Sequence, residues 1–150
     1  MAAPNDPTPN LKTTDFTSEA EVAALVEAFE TATIPPSEFT HAAHVAVAVS
    51  YVANLPLPEA QARMRKMLLH FTAVNHVDLY HETLTTFWMR LLDHVARTYD
   101  ARLPLWKRIN LIVSRWGTSA PVKAHYSREL IMSKIARESW VPPDLVPLPF

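Results

Sequence analysis

Apolar residues recur through most of this chain at intervals of three and four, the spacing that places them on one face of an α-helix. The first segment opens with Ser18 and Glu21 at capping-box spacing, and Leu25 and Phe29 continue its apolar face. Later segments repeat this periodicity, except that the second is almost wholly apolar. The pattern predicts helices over residues 18–29, 40–54, 58–74, 81–97, 104–116 and 126–138.

Thirteen prolines separate these segments. Because proline inside a helix loses a backbone hydrogen bond and clashes with the preceding turn, each is expected at a helix end or in a link. The uninterrupted stretch 59–103 is too long for one helix, and residues 75–78 are the predicted break, since Asn and Asp favour turns. We predict a flexible Pro-rich leader at 1–17, a helical domain at 18–141 and an extended tail at 142–150.

The composition favours an all-α, compact single-domain bundle of five or six helices. The chain has 150 residues, 49% of them hydrophobic, which suits one domain with a sizeable core. Its single glycine, Gly117, argues against an all-β meander, because hairpins and bulges use glycine for positive φ. The run from Val45 to Val49 could form a strand, but no partner strand is evident, so we assign it to a helix.

The tail VPPDLVPLPF is predicted to be a Pro-rich strap that packs across the bundle, because it is too apolar for a solvated end. Its expected contacts are Leu145, Val146, Leu148 and Phe150. A homodimer contact through the same residues is left open.

Composition also excludes several classes of protein. The absence of cysteine removes disulfides, thiolate zinc sites, iron–sulfur clusters and a cysteine nucleophile, and one glycine cannot build a Gly-rich phosphate loop. No apolar run reaches the roughly 20 residues of a membrane span, and the polar N-terminus lacks a signal-peptide segment. We therefore expect a cytoplasmic protein with no membrane partner. A net charge of −1 with scattered basic residues argues against a nucleic-acid partner.

The charge is unevenly distributed along the chain. Residues 1–100 contain 6 Lys and Arg against 12 Asp and Glu, whereas residues 101–150 contain 8 against 3. Such a split could draw the two halves together, or it could give one face that attracts an anionic ligand.

Polar residues lie on helical stripes that are otherwise apolar. On the second helix His41 and His44 share one face, and on the fourth His81 and Glu82 occupy the first turn. Two imidazoles one turn apart can bind one metal ion, and a second helix supplying a histidine and a carboxylate would complete the ligand set. We therefore predict a site for a divalent metal, Zn(II) or Fe(II), with the ligands His41, His44, His81 and Glu82.

A metal-free site on the same helices is the alternative. Its predicted catalytic residues are His81, Glu82, Tyr126 and Arg137. In this site the histidine and the carboxylate would perform acid–base chemistry, and Arg137 would hold an anionic substrate. The hydroxyls of Tyr80, Tyr126 and Ser133 would orient that substrate. These side chains could instead be structural, with the histidines bonded to neighbouring carbonyls and Arg137 in a salt bridge to the acidic part of the chain.

Three segments resemble a family of small bacterial helical proteins. They are Phe39–His44, which matches F-x-H-x-x-H, Tyr80–Thr85, which matches Y-H-E-T-[IL]-T, and a late segment that runs from Tyr126 through Arg137 to Asp144. The similarity extends from about residue 25 to residue 144. It implies that these polar residues belong to one pattern, and it implies no activity, substrate or cofactor.

The sequence leaves two functions open. The first is a small helical enzyme with a His/Glu site between helices, metal-dependent if the four ligands converge, that acts on a small molecule, an anion if Arg137 holds it. The alternative is a non-catalytic helical module that binds a small ligand or a partner protein, with the His, Glu and Arg side chains as a structural polar network.

Overall fold

Eight α-helices form the regular structure of residues 11–150, which are the residues that the computed structural model describes. The all-α prediction is confirmed, and none of the helices in this part of the chain is long and apolar enough to cross a membrane. In chain order the helices are α1 (Glu19–Glu30), α2 (His41–Asn54), α3 (Leu57–Val74), α4 (Glu82–Ala96), α5 (Leu105–Trp116), α6 (Ala120–His125), α7 (Arg128–Ile131) and α8 (Lys134–Glu138).

The described residues contain more helices than the five or six expected, because serine caps divide the C-terminal segment. Residues 126–138, predicted as one helix, form α7 and α8. The hydroxyls of Ser127 and Ser133 accept hydrogen bonds from the backbone N–H groups of Leu130 and Ala136, and each serine thereby starts a short helix. The further short helix α6 has a proline in its first turn, where a missing N–H costs nothing.

α2 lies at the centre of the bundle. It packs against α1, α3, α4 and α5, and every residue from Val45 to Val49 is buried. A helix that is apolar around most of its circumference is stable only when other helices cover it. The hydroxyl of Thr40 accepts a hydrogen bond from the Ala43 N–H and caps this helix, so that His41 occupies its first turn.

Residues 75–81, here called the α3–α4 link, lie between α3 and α4. The link confirms the predicted break at residues 75–78. His76 has a φ of 54°, a left-handed conformation that ends the helical path. At the other end of the link, His81 caps α4, because its Nδ1 accepts a hydrogen bond from the Leu84 N–H at 3.2 Å.

Residues 142–150 contain no helix, and they contact α4 and α6. The N–H of Leu145 donates to the carbonyl of His125, the last residue of α6, at 3.0 Å. The guanidinium of Arg90 in α4 donates to the carbonyl of the terminal residue at 3.1 Å. Of the four apolar residues expected to make contacts, Leu148 and Phe150 pack against the core, whereas Leu145 and Val146 are 55% and 51% exposed.

The N-terminal segment before α1 is joined to α5. Residues 1–10 of the predicted leader lie outside the described residues. Phe16 is buried, and its backbone N–H and C=O both hydrogen-bond to the side-chain amide of Asn110, at 2.9 and 2.8 Å. The residues that immediately precede α1 therefore belong to the packed bundle.

Candidate functional site

A cavity of about 320 Å³, here called the central cavity, lies between α2, α3, α4 and the α3–α4 link. Leu79 of the link lines it and is nevertheless 76% exposed, so the cavity opens to solvent beside this residue. The aromatic part of the wall consists of Phe39, Phe71, Tyr80 and Trp88, and the aliphatic part is formed mainly by Val45, Ala48, Met64, Leu68, Met89 and Leu92. Its remaining polar residues are His41, His44, Thr72, His81 and Thr85.

Helical spacing directs two polar stripes at this cavity. On α2, His41, His44 and Ala48 follow one another at intervals of three and four residues, and on α4 Thr85 and Trp88 are three apart. The sequence pattern distinguished both stripes, and the packing of α2 against α4 brings them to the same space.

His44 faces the central cavity with both ring nitrogens uncommitted to hydrogen bonds within residues 11–150. Its ring packs against that of Phe39, with 5.3 Å between centroids. Burial lowers the pKa of His44 to about 4, and the neighbouring His41 lowers it further as a second, smaller cause. His44 is therefore a neutral imidazole at pH 7, with one donor and one acceptor nitrogen.

His41 lies one turn earlier on the same face. Its Nε2 atom is buried and has no hydrogen-bond partner among the described residues, and its ring meets that of Trp88 edge-on at 4.7 Å. Burial lowers the pKa of His41, although the nearby backbone of Thr118 and Trp116 opposes this shift in part. A buried polar atom without a partner is unusual in a folded protein.

His81 lines the cavity, but both of its ring nitrogens are committed. Because Nδ1 accepts the hydrogen bond that caps α4, Nε2 carries the proton of a neutral ring and donates to the carbonyl of Ile131 at 2.7 Å. This side chain joins α4 to α7. Both nitrogens are thus occupied by protein groups, and the ring has no free lone pair for a metal ion.

Glu82 points away from the central cavity towards α3. Its carboxylate pairs with the guanidinium of Arg65 and accepts a hydrogen bond from the hydroxyl of Tyr80. Burial raises the pKa of Glu82, but the hydrogen bonds from Arg65 and Tyr80 outweigh burial, so the pKa lies below its usual value. Burial and the adjacent carboxylate raise the pKa of Tyr80 to about 12. The three side chains form a satisfied cluster on the outer side of the cavity wall.

Arg137 binds the backbone of the α3–α4 link. Its guanidinium donates to the carbonyl of Tyr80 at 3.2 Å and to the carbonyl of Asp78, and it pairs with the Asp78 carboxylate at 2.9 Å. It is not part of the cavity wall. These contacts place Arg137 behind the link rather than beside a ligand.

Tyr126 and Ser133 lie outside the central cavity. The Tyr126 side chain is buried, its hydroxyl donates to the carbonyl of Val141 at 2.6 Å, and burial raises its pKa to about 12. Ser133 caps α8. Both side chains support the packing of the C-terminal segment.

The four residues predicted as metal ligands are only partly brought together. His41 and His44 share the cavity, whereas the ring of His81 and the carboxylate of Glu82 are held by the protein contacts described above. Across residues 11–150, no group of three or more His, Asp or Glu side chains is arranged to hold a metal ion. The geometry offers a histidine pair and no further ligand set.

Sequence reasoning missed the part of the wall that α3 and the link supply. Met64, Leu68 and Phe71 are core residues by pattern, and Leu79 lies in a segment without periodicity. Apolar residues that line a cavity and apolar residues that fill a core share one spacing, so no signal separates them. In the link, Tyr80 and His81 carried a signal as part of the Y-H-E-T-[IL]-T motif, and Phe39, which precedes α2, carried one as part of the F-x-H-x-x-H motif.

Comparisons of this chain with protein-family models, with curated proteins and with solved structures find no match. The functional argument therefore depends on the geometry of the central cavity.

The free energy of unfolding is expected to fall at acid pH because His44 is buried in its neutral form. Between about pH 6.5 and pH 4 the unfolded chain binds a proton at His44 that the folded chain does not bind, so stability decreases as the pH falls. The shift in pKa from 6.5 to about 4 corresponds to about 3 kcal/mol. We expect His44→Leu to remove this component, measured by urea unfolding at pH 7, 5.5 and 4.5.

The matched control for the pH experiment is His70→Leu, which changes an exposed histidine of α3. It should retain the pH dependence of the unmodified protein. Equal pH dependence in the unmodified protein and in His44→Leu would contradict the assignment of His44 as a buried neutral imidazole.

Arg137→Met should loosen the α3–α4 link. The loss of the two hydrogen bonds to link carbonyls should cost about 1 kcal/mol locally, seen as roughly five-fold faster exchange of the amide hydrogens of Val77 and Leu84. These amides are bonded to Thr72 O and to His81 Nδ1. NMR-detected hydrogen exchange provides the measurement.

Asp78→Asn is the control for Arg137→Met, because the Asp78 side chain is 98% exposed and its ion pair contributes little. It removes the ion pair and leaves the carbonyl contacts. We expect exchange rates close to those of the unmodified protein. If both variants changed the amide exchange rates equally, this would contradict the inference that the Arg137–carbonyl hydrogen bonds stabilise the link.

Proposed function

We propose that this protein binds a small, largely apolar molecule in the central cavity, with His41 and His44 hydrogen-bonding its polar group. The observation that carries this proposal is the His44 imidazole, which faces a largely apolar cavity and has no hydrogen-bond partner among the described residues. His41 lines the same wall one turn earlier. An unpaired buried polar atom costs about 1–3 kcal/mol. A ligand that supplied the missing hydrogen bonds would recover that free energy on binding.

The size and shape of the cavity are consistent with a small-molecule site. Its volume of about 320 Å³ lies at the lower end of the range of known ligand pockets, and a few polar groups in an apolar wall are typical of them. The same volume would hold roughly ten water molecules, which corresponds to an aromatic ligand of two or three rings rather than a larger cofactor. The opening beside Leu79 provides a route of entry.

The residues outside the cavity favour a supporting role. His81, Glu82 and Arg137 are bonded to protein groups on α7, α3 and the link. A ligand need not break these contacts to enter the cavity. The proposed function therefore assigns binding to the α2 histidines and structural support to the other three.

Filling the cavity should abolish ligand binding. Ala48 is buried in the wall, and Ala48→Phe would occupy much of the space. The probe is N-phenyl-1-naphthylamine, a neutral dye whose fluorescence rises in apolar surroundings. We expect it to bind the unmodified protein, and to bind Ala48→Phe at least about ten-fold more weakly, a loss of about 1.4 kcal/mol.

Ala53→Phe is the matched control, since the same change on the same helix falls at an exposed position. It should bind the dye like the unmodified protein. Circular dichroism establishes that each variant is folded. In the unmodified protein, NMR resonances of His44 and Trp88 should shift on addition of dye, and this holds whether or not Ala48→Phe folds. Absence of these shifts, or undiminished binding by folded Ala48→Phe, would overturn the proposal.

Acid–base catalysis at the same histidines is the second candidate function. The specific observation in its favour is that His44 is neutral at pH 7 and faces the cavity with an acceptor nitrogen that can take a proton. Because its pKa of about 4 makes it a weaker base than free imidazole, positioning of the substrate in the cavity must supply the rate.

Exchange of carbon-bound hydrogen tests the catalytic candidate. In 1-tetralone, His44 would remove a proton from the carbon beside the carbonyl and return a deuteron from D₂O, with no net change besides the exchange. We expect a rate about a hundred-fold above that of free imidazole at equal concentration, followed by loss of the proton NMR signal. His44→Gln should abolish the excess rate, and His70→Gln should retain it. A rate equal to that of free imidazole would contradict the catalytic candidate and would leave ligand binding as the proposed function.

A further inference from the structure

We infer that the ligand of the central cavity is an uncharged aromatic molecule that carries a hydroxyl group, a phenol in the simplest case. This inference rests on the proposed function and specifies the chemistry of the molecule that the same site binds. Three properties of the cavity wall support it. The described residues that form the wall include no charged side chain, its histidines can form hydrogen bonds, and part of its surface is aromatic.

The first property is electrical neutrality. No Lys, Arg, Asp or Glu is among the described residues that line the central cavity. The nearest charged groups, Arg65 and Glu82, pair with each other on the outer side of Tyr80, and Arg137 is bonded to the link. A carboxylate, phosphate or ammonium group in the cavity would lose its water without meeting an opposite charge, which is strongly unfavourable. The wall therefore selects against ions of either sign.

The second property is the type of hydrogen bond on offer. A neutral imidazole has one N–H donor and one acceptor nitrogen, and His44, whose ring nitrogens have no hydrogen-bond partner within the described part of the chain, faces the cavity. The hydroxyl of Thr85 on the facing helix adds a group that can donate or accept. A ligand hydroxyl both donates and accepts, so it can pair with either kind of nitrogen on His44 and with Thr85. A ligand that only accepts, such as an ether, would leave an acceptor nitrogen unpaired.

The third property is the shape of the walls. Phe39 and Phe71 stand with 5.2 Å between ring centroids, and Trp88, beside His41, belongs to the same wall. Aromatic rings prefer offset or edge-to-face contact at such distances. A flat aromatic ring can make such contacts, which a branched aliphatic molecule of equal volume cannot.

Three ligands of one shape test this inference: naphthalene, 2-naphthol and 2-naphthoate. Their dissociation constants are measured at pH 7 by displacement of N-phenyl-1-naphthylamine. We expect 2-naphthol to bind about ten-fold more tightly than naphthalene, because one buried hydrogen bond is added. We expect 2-naphthoate to bind about a hundred-fold more weakly than 2-naphthol, because its charge is buried without a partner.

His44→Leu assigns the preference to the histidine. The variant should bind 2-naphthol no more tightly than naphthalene, while naphthalene binding stays within about two-fold of the unmodified protein, since the wall becomes more apolar. His70→Leu should keep the full preference for 2-naphthol. If His44→Leu does not fold, Thr85→Val serves as a second variant with a smaller loss of preference.

The outcomes separate this inference from the proposed function. If 2-naphthoate binds as tightly as 2-naphthol, or if naphthalene does, the inference on ligand chemistry is overturned while the cavity remains a ligand site. If neither the dye nor any of the three compounds binds, the proposed function itself fails. If the affinity is highest for 2-naphthol, lower for naphthalene and lowest for 2-naphthoate, the result supports both.

Discussion

The enclosure of α2 by four other helices is the constraint on which the central cavity depends. Side chains of α2 are buried over most of the span from Ala43 to Tyr51, and the helix is stable only while α1, α3, α4 and α5 cover it. Its first two turns carry two imidazoles. Close packing around an imidazole leaves its nitrogens without partners unless polar groups approach them. The cavity lies beside these turns, and both imidazoles line it.

Three polar residues near this cavity, His81, Glu82 and Arg137, hold the elements of its wall in place. His81 caps α4 and reaches the carbonyl of Ile131, Glu82 joins α4 to Arg65 of α3, and Arg137 of α8 holds two link carbonyls. The contacts of His81 with Ile131 and of Arg137 with the link connect elements that are distant in sequence, and the contact of Glu82 connects two consecutive helices. The α3–α4 link, which has no regular structure, is thereby fixed from α3 on one side and from α7 and α8 on the other. A segment held in this way can form a cavity wall without a helix of its own.

Spacing within one helix was sufficient to predict which side chains share a face, and insufficient to predict what that face meets. His41 and His44 are three residues apart on α2, so local geometry alone places them together. His81 and Glu82 are adjacent, and adjacent positions around a helix point roughly 100° apart. A common ligand set of all four residues therefore needed tertiary contacts that no spacing contains, and those contacts direct Glu82 to Arg65. The all-α class was predictable for the same local reason. The division of residues 126–138 was not, because the apolar period suits one helix while the capping serines compete with it.

Charged residues of the acidic and the basic parts of the chain form ion pairs outside the cavity. Arg137, from the basic C-terminal part, pairs with Asp78 of the acidic N-terminal part, which is the attraction between the halves that the composition allowed. Arg65 and Glu82 neutralise each other across α3 and α4. Surface charge acts through water and is screened, whereas a cavity wall acts on a molecule that has lost its water. The ligand chemistry that we propose therefore depends on the neutral wall and its histidines, and not on the overall distribution of charge along the chain.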